Sequence, residues 1–166
     1  MSYHIYTTKG VALAERPVRE ADRIYAIMTR DLGLVRANAL GVRRESSKLR
    51  GHIEPFSLVS VSLVRGREHW RVTSAEFIRS ISCAPTVLRP LALLEKLVQG
   101  EAPHPELFDA LEKAVLSPGP YGEIFETHLV SEILFHLGYL KEADLTLGKK
   151  ALVKVINEGL QASHLT

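Results

Sequence analysis

The sequence predicts an α+β chain, with a small five-stranded β-barrel in front and an α-helical domain behind. Three observations predict it. The apolar residues alternate with a period of two up to about residue 80, and with a helical period after residue 90. Glycine-marked turns cut the front half into short runs. The charge divides at the same place. Residues 1–80 carry 14 Lys and Arg against 8 Asp and Glu, a net of +6; residues 81–166 carry 7 against 11, a net of −4, and the two halves restore the overall +2. The boundary is expected between Ser80 and Pro85, dividing the chain into 1–80 and 81–166.

Five runs supply the barrel. YHIYTTKGVALAE is the first, alternating around Val11 and Leu13, and a polar connection RPVREA follows it. RIYAIMTRD is the second; its β-branched and aromatic residues favour a strand over a helix, and Asp31-Leu32-Gly33 stops it. In LVRANALGV, Val35, Ala37 and Ala39 share one face and Arg36 and Asn38 the other. PFSLVSVSLVRG sets Val59, Val61 and Leu63 against Ser60 and Ser62, and HWRVTSAEFI sets Trp70 and Val72 on one side. Five short strands in about 75 residues fit an OB-type barrel best by count, although an SH3-like barrel reads similarly and periodicity does not fix topology.

Behind the barrel, Pro85 to Arg89 reads as a connector, and Pro90 opens a helix that closes at Gly100. Pro105 opens a second helix with Leu107, Phe108, Leu111 and Val115 on one stripe. A third runs from about Tyr121 to Leu137 and ends at Gly138. Asp144 or Thr146 is placed to cap a fourth, which carries Leu152, Val155, Ile156 and Leu160.

Composition narrows the function classes. An apolar fraction of 46% and a charged fraction of 24% are those of a folded globular chain. No apolar run reaches the roughly 20 residues that span a bilayer, and the N-terminus lacks a signal-peptide core, so a cytoplasmic protein is expected. Cys83 is the only cysteine, which excludes an internal disulfide and a cysteine-rich zinc site. Nucleophile-elbow, phosphate-loop, zinc-protease and dinucleotide motifs are all lacking, so no catalytic residue and no cofactor is assigned. His128, Glu132 and His136 recur every four residues on the third helix, but a surface pair of this kind is commoner than a metal site, and no metal is assigned.

The basic residues carry the functional expectation. GVRRESSKLRG, residues 41–51, places Arg43, Arg44, Lys48 and Arg50 among serines and glycines in what reads as a flexible loop. Arg36 precedes it on the third strand, and Arg16, Arg19 and Arg23 flank the first connection. Each phosphate neutralised by Lys or Arg releases counterions, so such a set binds nucleic acid without reading its sequence. The bland alternative is a solvated charged loop. Tyr3, Tyr6, Tyr25 and Trp70 are candidate stacking rings, each better explained as partly core; Phe56 is expected in the core.

TTKGVALAERPVREADRI, then TRDLGLVRANALGVRRESSKLRGHIEPFSLVSVSLVRGR, with SKLRG before EPF and a strand ending in RG, resembles the RecO family of bacterial DNA repair and recombination mediators. IFETHLVSEILFHLGYL resembles the family's helix ending in a leucine-glycine-tyrosine turn. The resemblance implies an OB fold followed by a helical domain, and a protein that binds single- and double-stranded DNA, anneals complementary strands and works with RecR. It further implies help in loading RecA onto DNA coated by single-strand binding protein, and association with the nucleoid. Arg36, Arg43, Arg44, Lys48 and Arg50 match the family's basic segment, with Gly41 and Gly51 as turn residues. The chain reads shorter than typical members, with the difference at the C-terminal end. One cysteine cannot build the four-cysteine zinc site that some members carry. Two other readings remain open: an adaptor whose basic loop docks an acidic peptide tail, and an RNA-binding OB module.

Overall fold

The structure, a computed structural model, describes residues 4–164, so Tyr3 lies outside the described residues. Five strands, β1 (Ile5–Pro17), β2 (Arg23–Thr29), β3 (Gly33–Ala39), β4 (Ser57–Val64) and β5 (Trp70–Ser80), are followed by four helices, α1 (Pro85–Leu97), α2 (Pro105–Leu116), α3 (Glu123–His136) and α4 (Lys149–Ala162). The strands form a closed barrel in the order β1-β2-β3-β5-β4. Every neighbouring pair is antiparallel except β3 with β5, which run parallel and pair at Ala37 with Trp70 and Asn38 with Arg71.

The 13-residue β1 serves two neighbours. Gly10, Val11 and Ala12 lie opposite Thr29, Met28 and Ile27 of β2 on one side, and opposite Val59, Leu58 and Ser57 of β4 on the other. A strand shared in this way must bend. A register shift between Ala12 and Ala14 provides the bend, and Gly10 makes room at its inside. A Cβ at Gly10 would stand 2.5 Å from Cγ2 of Ile27.

Alternation decides which side chains fill the barrel. Tyr25, Ile27, Val35, Ala37, Val59, Val61, Leu63, Trp70 and Val72 form its core. Three residues of the β3–β4 connection, Val42, Leu49 and Ile53, belong to the same core. The connection was expected to be flexible; instead its apolar residues close one end of the barrel. Its backbone turns back on itself repeatedly, with Arg44 N–H donating to Gly41, Ser47 to Arg44, Arg50 to Ser47 and His52 to Leu49, at 2.9–3.3 Å. Gly41 and Gly51 supply the left-handed conformations these turns need, at φ +63° and +77°. Phe56 also departs from expectation. It is half-buried rather than core, and it takes a left-handed φ of 56° where its N–H reaches back to the Ala12 carbonyl at 2.7 Å.

The chain divides into two compact units. One runs to Ile81 and takes in Gly100–Pro103; the other holds Ser82–Gln99 and the chain from His104 onward. In the second unit α3 is the central helix, packing against α1, α2 and α4. Its apolar residues surround it, as a helix with neighbours on several sides requires. Two expectations fail here. Pro85 to Arg89 is the first part of α1 and not a connector, so Pro90 sits inside the helix, buried. The stripe Val87, Pro90, Leu91, Leu94 and Leu97 is continuous, and its burial outweighs the backbone hydrogen bond that Pro90 cannot donate. Neither Asp144 nor Thr146 caps α4. Asp144 instead accepts from the Lys141 N–H at 2.8 Å in a separate 3₁₀ turn (Glu142–Thr146), and Gly148 precedes α4. No helix among the described residues is long and apolar enough to cross a membrane.

Candidate nucleic-acid interface

The strand pairing puts both basic connections at one end of the barrel. Arg23 opens β2 opposite Pro17, the last residue of β1, and opposite Ala39, the last residue of β3. The β1–β2 and β3–β4 connections therefore leave the same rim. Hydrogen bonds join them there. The Gly41 N–H donates to Oδ1 of Asp22 at 2.7 Å, the Arg43 N–H to the Ala21 carbonyl at 3.2 Å, and Nη1 of Arg43 to the Glu20 carbonyl at 3.1 Å.

Seven of the eight expected residues, Arg16, Arg19, Arg23, Arg43, Arg44, Lys48 and Arg50, lie on this end. Six of them are exposed and Arg23 is half-buried. Arg36 is exposed too, but it sits mid-way along β3, opposite Ala26 of β2, on the barrel wall. The cations are outward because the residues between them point inward: Val42 and Leu49 are buried while Arg43, Arg44, Lys48 and Arg50 flank them.

Carboxylates share the rim. Residues 15–23 hold three arginines and three acids, Glu15, Glu20 and Asp22, so that stretch is neutral in sum. Residues 41–56 hold four cations against Glu45 and Glu54, leaving +2. The field of this end therefore comes from the β3–β4 connection. Nε of Arg23 stands 4.0 Å from Glu15. Arg16, Arg19, Arg44, Lys48 and Arg50 make no ion pair among the described residues.

A recess of about 350 Å³ opens between the connections, lined by Arg23, Arg43, Arg50, Glu15, Glu54 and Tyr25, among others. Nη1 of Arg23 is buried and finds no hydrogen-bond acceptor among the described residues. Beside it the Tyr25 hydroxyl donates to the Ile53 carbonyl at 3.3 Å. Burial, and then the neighbouring Glu15 carboxylate, push the Tyr25 hydroxyl far above its ordinary range, so it stays protonated. The unmet Arg23 donor beside the exposed Arg43 and Arg50 guanidinium groups makes this recess suited to a single anionic group.

The candidate rings divide. Among the described candidates Tyr25 and Trp70 are core, and Tyr6, 38% exposed, offers an accessible edge. It packs edge-to-face on Trp70 at 5.3 Å between centroids. Around Trp70 stands a group that sequence reading left unassigned, the β4–β5 hairpin RGREHWR. Arg65, Arg67 and Arg71 are exposed there. Arg65 lies 4.9 Å over the Trp70 ring and also pairs with Glu101. Three arginines within seven residues were a visible signal, obscured by dividing the segment between two strands.

In the helical unit the described residues contain no group of three potential metal ligands. Glu132 and His136 stand 3.4 Å apart as an i, i+4 pair. Arg89 of α1 grips Glu126 of α3 through two hydrogen bonds of 2.6 and 2.7 Å. That grip lowers the Glu126 carboxyl below its usual range and raises the guanidinium.

Comparison with known proteins gives the kinship. The family described as "Recombination protein O N terminal" matches residues 1–81. A protein named DNA repair protein RecO from Synechococcus sp. is 40% identical over 87 residues, covering 52% of this chain and 30% of that one. One of the same name from Bifidobacterium adolescentis is 45% identical over 74 residues, covering 45% and 30%. Another from Dehalococcoides mccartyi is 30% identical over 148 residues, covering 84% of this chain and 58% of the relative. The matched stretches thus span about a third to somewhat over half of those relatives. By its barrel half, and by relatives that share one name, the chain belongs to the RecO family.

Proposed function

We propose that this chain is a non-enzymatic DNA repair and recombination mediator. Its barrel, of OB type by strand number and order, binds single- and double-stranded DNA by the phosphates. The observation that carries this reading is the plugged connection: Val42, Leu49 and Ile53 root it in the barrel, and Arg43, Arg44, Lys48 and Arg50 stand out from it. Arg16, Arg19 and Arg23 line the same rim, and Arg36 extends the surface along the wall. Cations held in place attract two phosphate backbones at once and lower their mutual repulsion. Annealing then needs only proximity, with no nucleotide hydrolysis. In this reading residues 1–80 are the DNA-binding domain. The acidic residues 81–166 serve proteins, with RecR and single-strand binding protein as partners, RecA loading as the indirect outcome, and the nucleoid as the place of action.

The test is annealing of complementary oligonucleotides. The native protein accelerates it, and R44A/K48A/R50A, which leaves the Arg43–Glu20 hydrogen bond in place, loses most of that acceleration while keeping its melting temperature. Equal annealing by both proteins would refute the assignment.

A second reading is favoured by the recess, whose three arginines suit a carboxylate as well as a phosphate. In it the same end docks an acidic peptide tail. An acidic peptide that binds at this end when neither DNA nor RNA does would establish this reading in place of the first; parallel titration with RNA of equal length addresses an RNA-binding module.

A further inference from the structure

At the mouth of the barrel, charged residues take positions that alternation gives to the core. Residues directly opposite one another in an antiparallel pair share a face. Arg23 lies opposite Ala39 of β3, a core residue, and two residues along β2 comes Tyr25, also core. Arg23 therefore points inward. Glu15 of β1 lies opposite Tyr25 and joins the same face. The β3–β4 connection brings the exposed Arg43, Arg50 and Glu54 to this mouth, and the recess opens among the five charged groups. Few of them satisfy one another. Nη1 of Arg23 is buried without an acceptor, and Glu15 comes no nearer than 4.0 Å to its Nε. Arg43 is held by the Glu20 carbonyl. Arg50 and Glu54 make no ion pair among the described residues.

We infer that this recess is a site for a phosphate monoester in its singly protonated form. Three arginines against two carboxylates leave one positive charge, which matches the one negative charge of that form. Its two bare oxygens accept from Nη1 of Arg23 and from the Arg43 and Arg50 guanidinium groups, as charge-assisted hydrogen bonds. Its P–OH donates to Glu54 or Glu15. The two acids thereby select the ligand. Sulfate and a carboxylate bring only acceptors, so an oxygen of either would face a carboxylate with no proton between them. An internal phosphodiester carries the same charge as the monoester but has no proton to give, and a sugar on each side keeps it out of a closed recess. The site stands without the DNA-binding reading above. On that reading it seats the terminal phosphate of a strand whose following phosphates lie on the basic connection; a small phosphate compound offers the same group.

The experiment titrates the native chain with inorganic phosphate and with sulfate at equal ionic strength, at a pH of about 6, the second pKa of a phosphate monoester. Phosphate is expected to bind at one site per chain, more tightly than sulfate by roughly tenfold or more, the scale of one charged hydrogen bond lost. R23M should lose the phosphate. E15Q/E54Q should bind both anions alike, since an amide donates to either. Equal binding of the two anions by the native chain overturns the inference, and so does undiminished phosphate binding by R23M. A second arm compares a 12-nucleotide single strand phosphorylated at one end with the same strand bearing hydroxyls at both. Several-fold tighter binding of the phosphorylated strand, a difference that R23M or added inorganic phosphate removes, identifies the ligand as a strand end. Equal binding of the two strands, with phosphate still preferred to sulfate, identifies it as a small phosphate compound. If the native chain binds neither strand yet prefers phosphate, the DNA reading falls and this site stands.

Discussion

Arg23 has surroundings that conflict with stability. Its Nη1 is buried without an acceptor, and Glu15 stands no nearer than 4.0 Å from its Nε. A buried charged donor without a full set of partners costs free energy, and an apolar isostere at such a site is often neutral or stabilising. Arg23→Met is therefore expected to hold or raise the urea midpoint while weakening oligonucleotide binding. A marked drop in the midpoint would show that Glu15 and the Tyr25 neighbourhood satisfy the guanidinium after all. Arg44 and Lys48 are the converse case. Exposed and without ion pairs among the described residues, they should each change stability by less than about 0.5 kcal/mol on truncation to Ala. Arg43 also donates to the Glu20 carbonyl, so Arg43→Ala should loosen the rim as well as remove a charge.

At the scale of elements, the β3–β4 connection behaves as part of the core. Val42, Leu49 and Ile53 are all buried. Leu49→Ala is expected to cost about 2–4 kcal/mol by the lost burial and the cavity left behind. Because Leu49 anchors the turn that presents Lys48 and Arg50, hydrogen exchange in residues 41–56 should rise in the same variant, and DNA affinity should fall with every charge still present. Exchange unchanged across that stretch would mean the plug does not position the cations.

Between α1 and α3 the Arg89–Glu126 grip gives a pH dependence of definite sign. The folded Glu126 carboxyl is held below its ordinary 4.5. The stabilisation is thus complete above about pH 4.5 and is lost as pH falls through the lower folded value. Arg89 is exposed, so salt screens the effect. The urea midpoint of the native chain should fall more between pH 7 and pH 3 than that of Glu126→Gln; equal falls would show that the pair contributes nothing.

At the scale of the whole molecule, the five strands and the switch to helices were legible because burial on one face imposes a period of two and burial of a stripe imposes a period near 3.6. Alternation at Val35, Ala37 and Ala39 and at Val59, Val61 and Leu63 placed those residues inward, as found. The closing of the barrel by a parallel β3–β5 pair was not legible, since it rests on two residue pairs between strands far apart in sequence. The start of α1 was missed because Pro90 reads as a boundary, although Val87 already lies on its buried stripe. The order of the basic connection was missed because Val42, Leu49 and Ile53 have no regular spacing, and only the barrel end gives them a common place. The positions of Arg16, Arg19, Arg23, Arg43, Arg44, Lys48 and Arg50 on one end follow from strand pairing, which periodicity does not reveal. The carboxylates that balance the β1–β2 side were visible in the same letters, and they shift the weight of the site to the β3–β4 connection.

The most direct measurement is the salt dependence of single-stranded DNA binding by the native chain and by R43A/R44A/K48A/R50A. A positioned four-cation grip predicts a steep linear fall of log affinity with log salt in the native chain, and a slope shallower by about 3 in the variant, near 0.7 per phosphate released. A native affinity that salt leaves unchanged, or a variant slope equal to the native one, would contradict it.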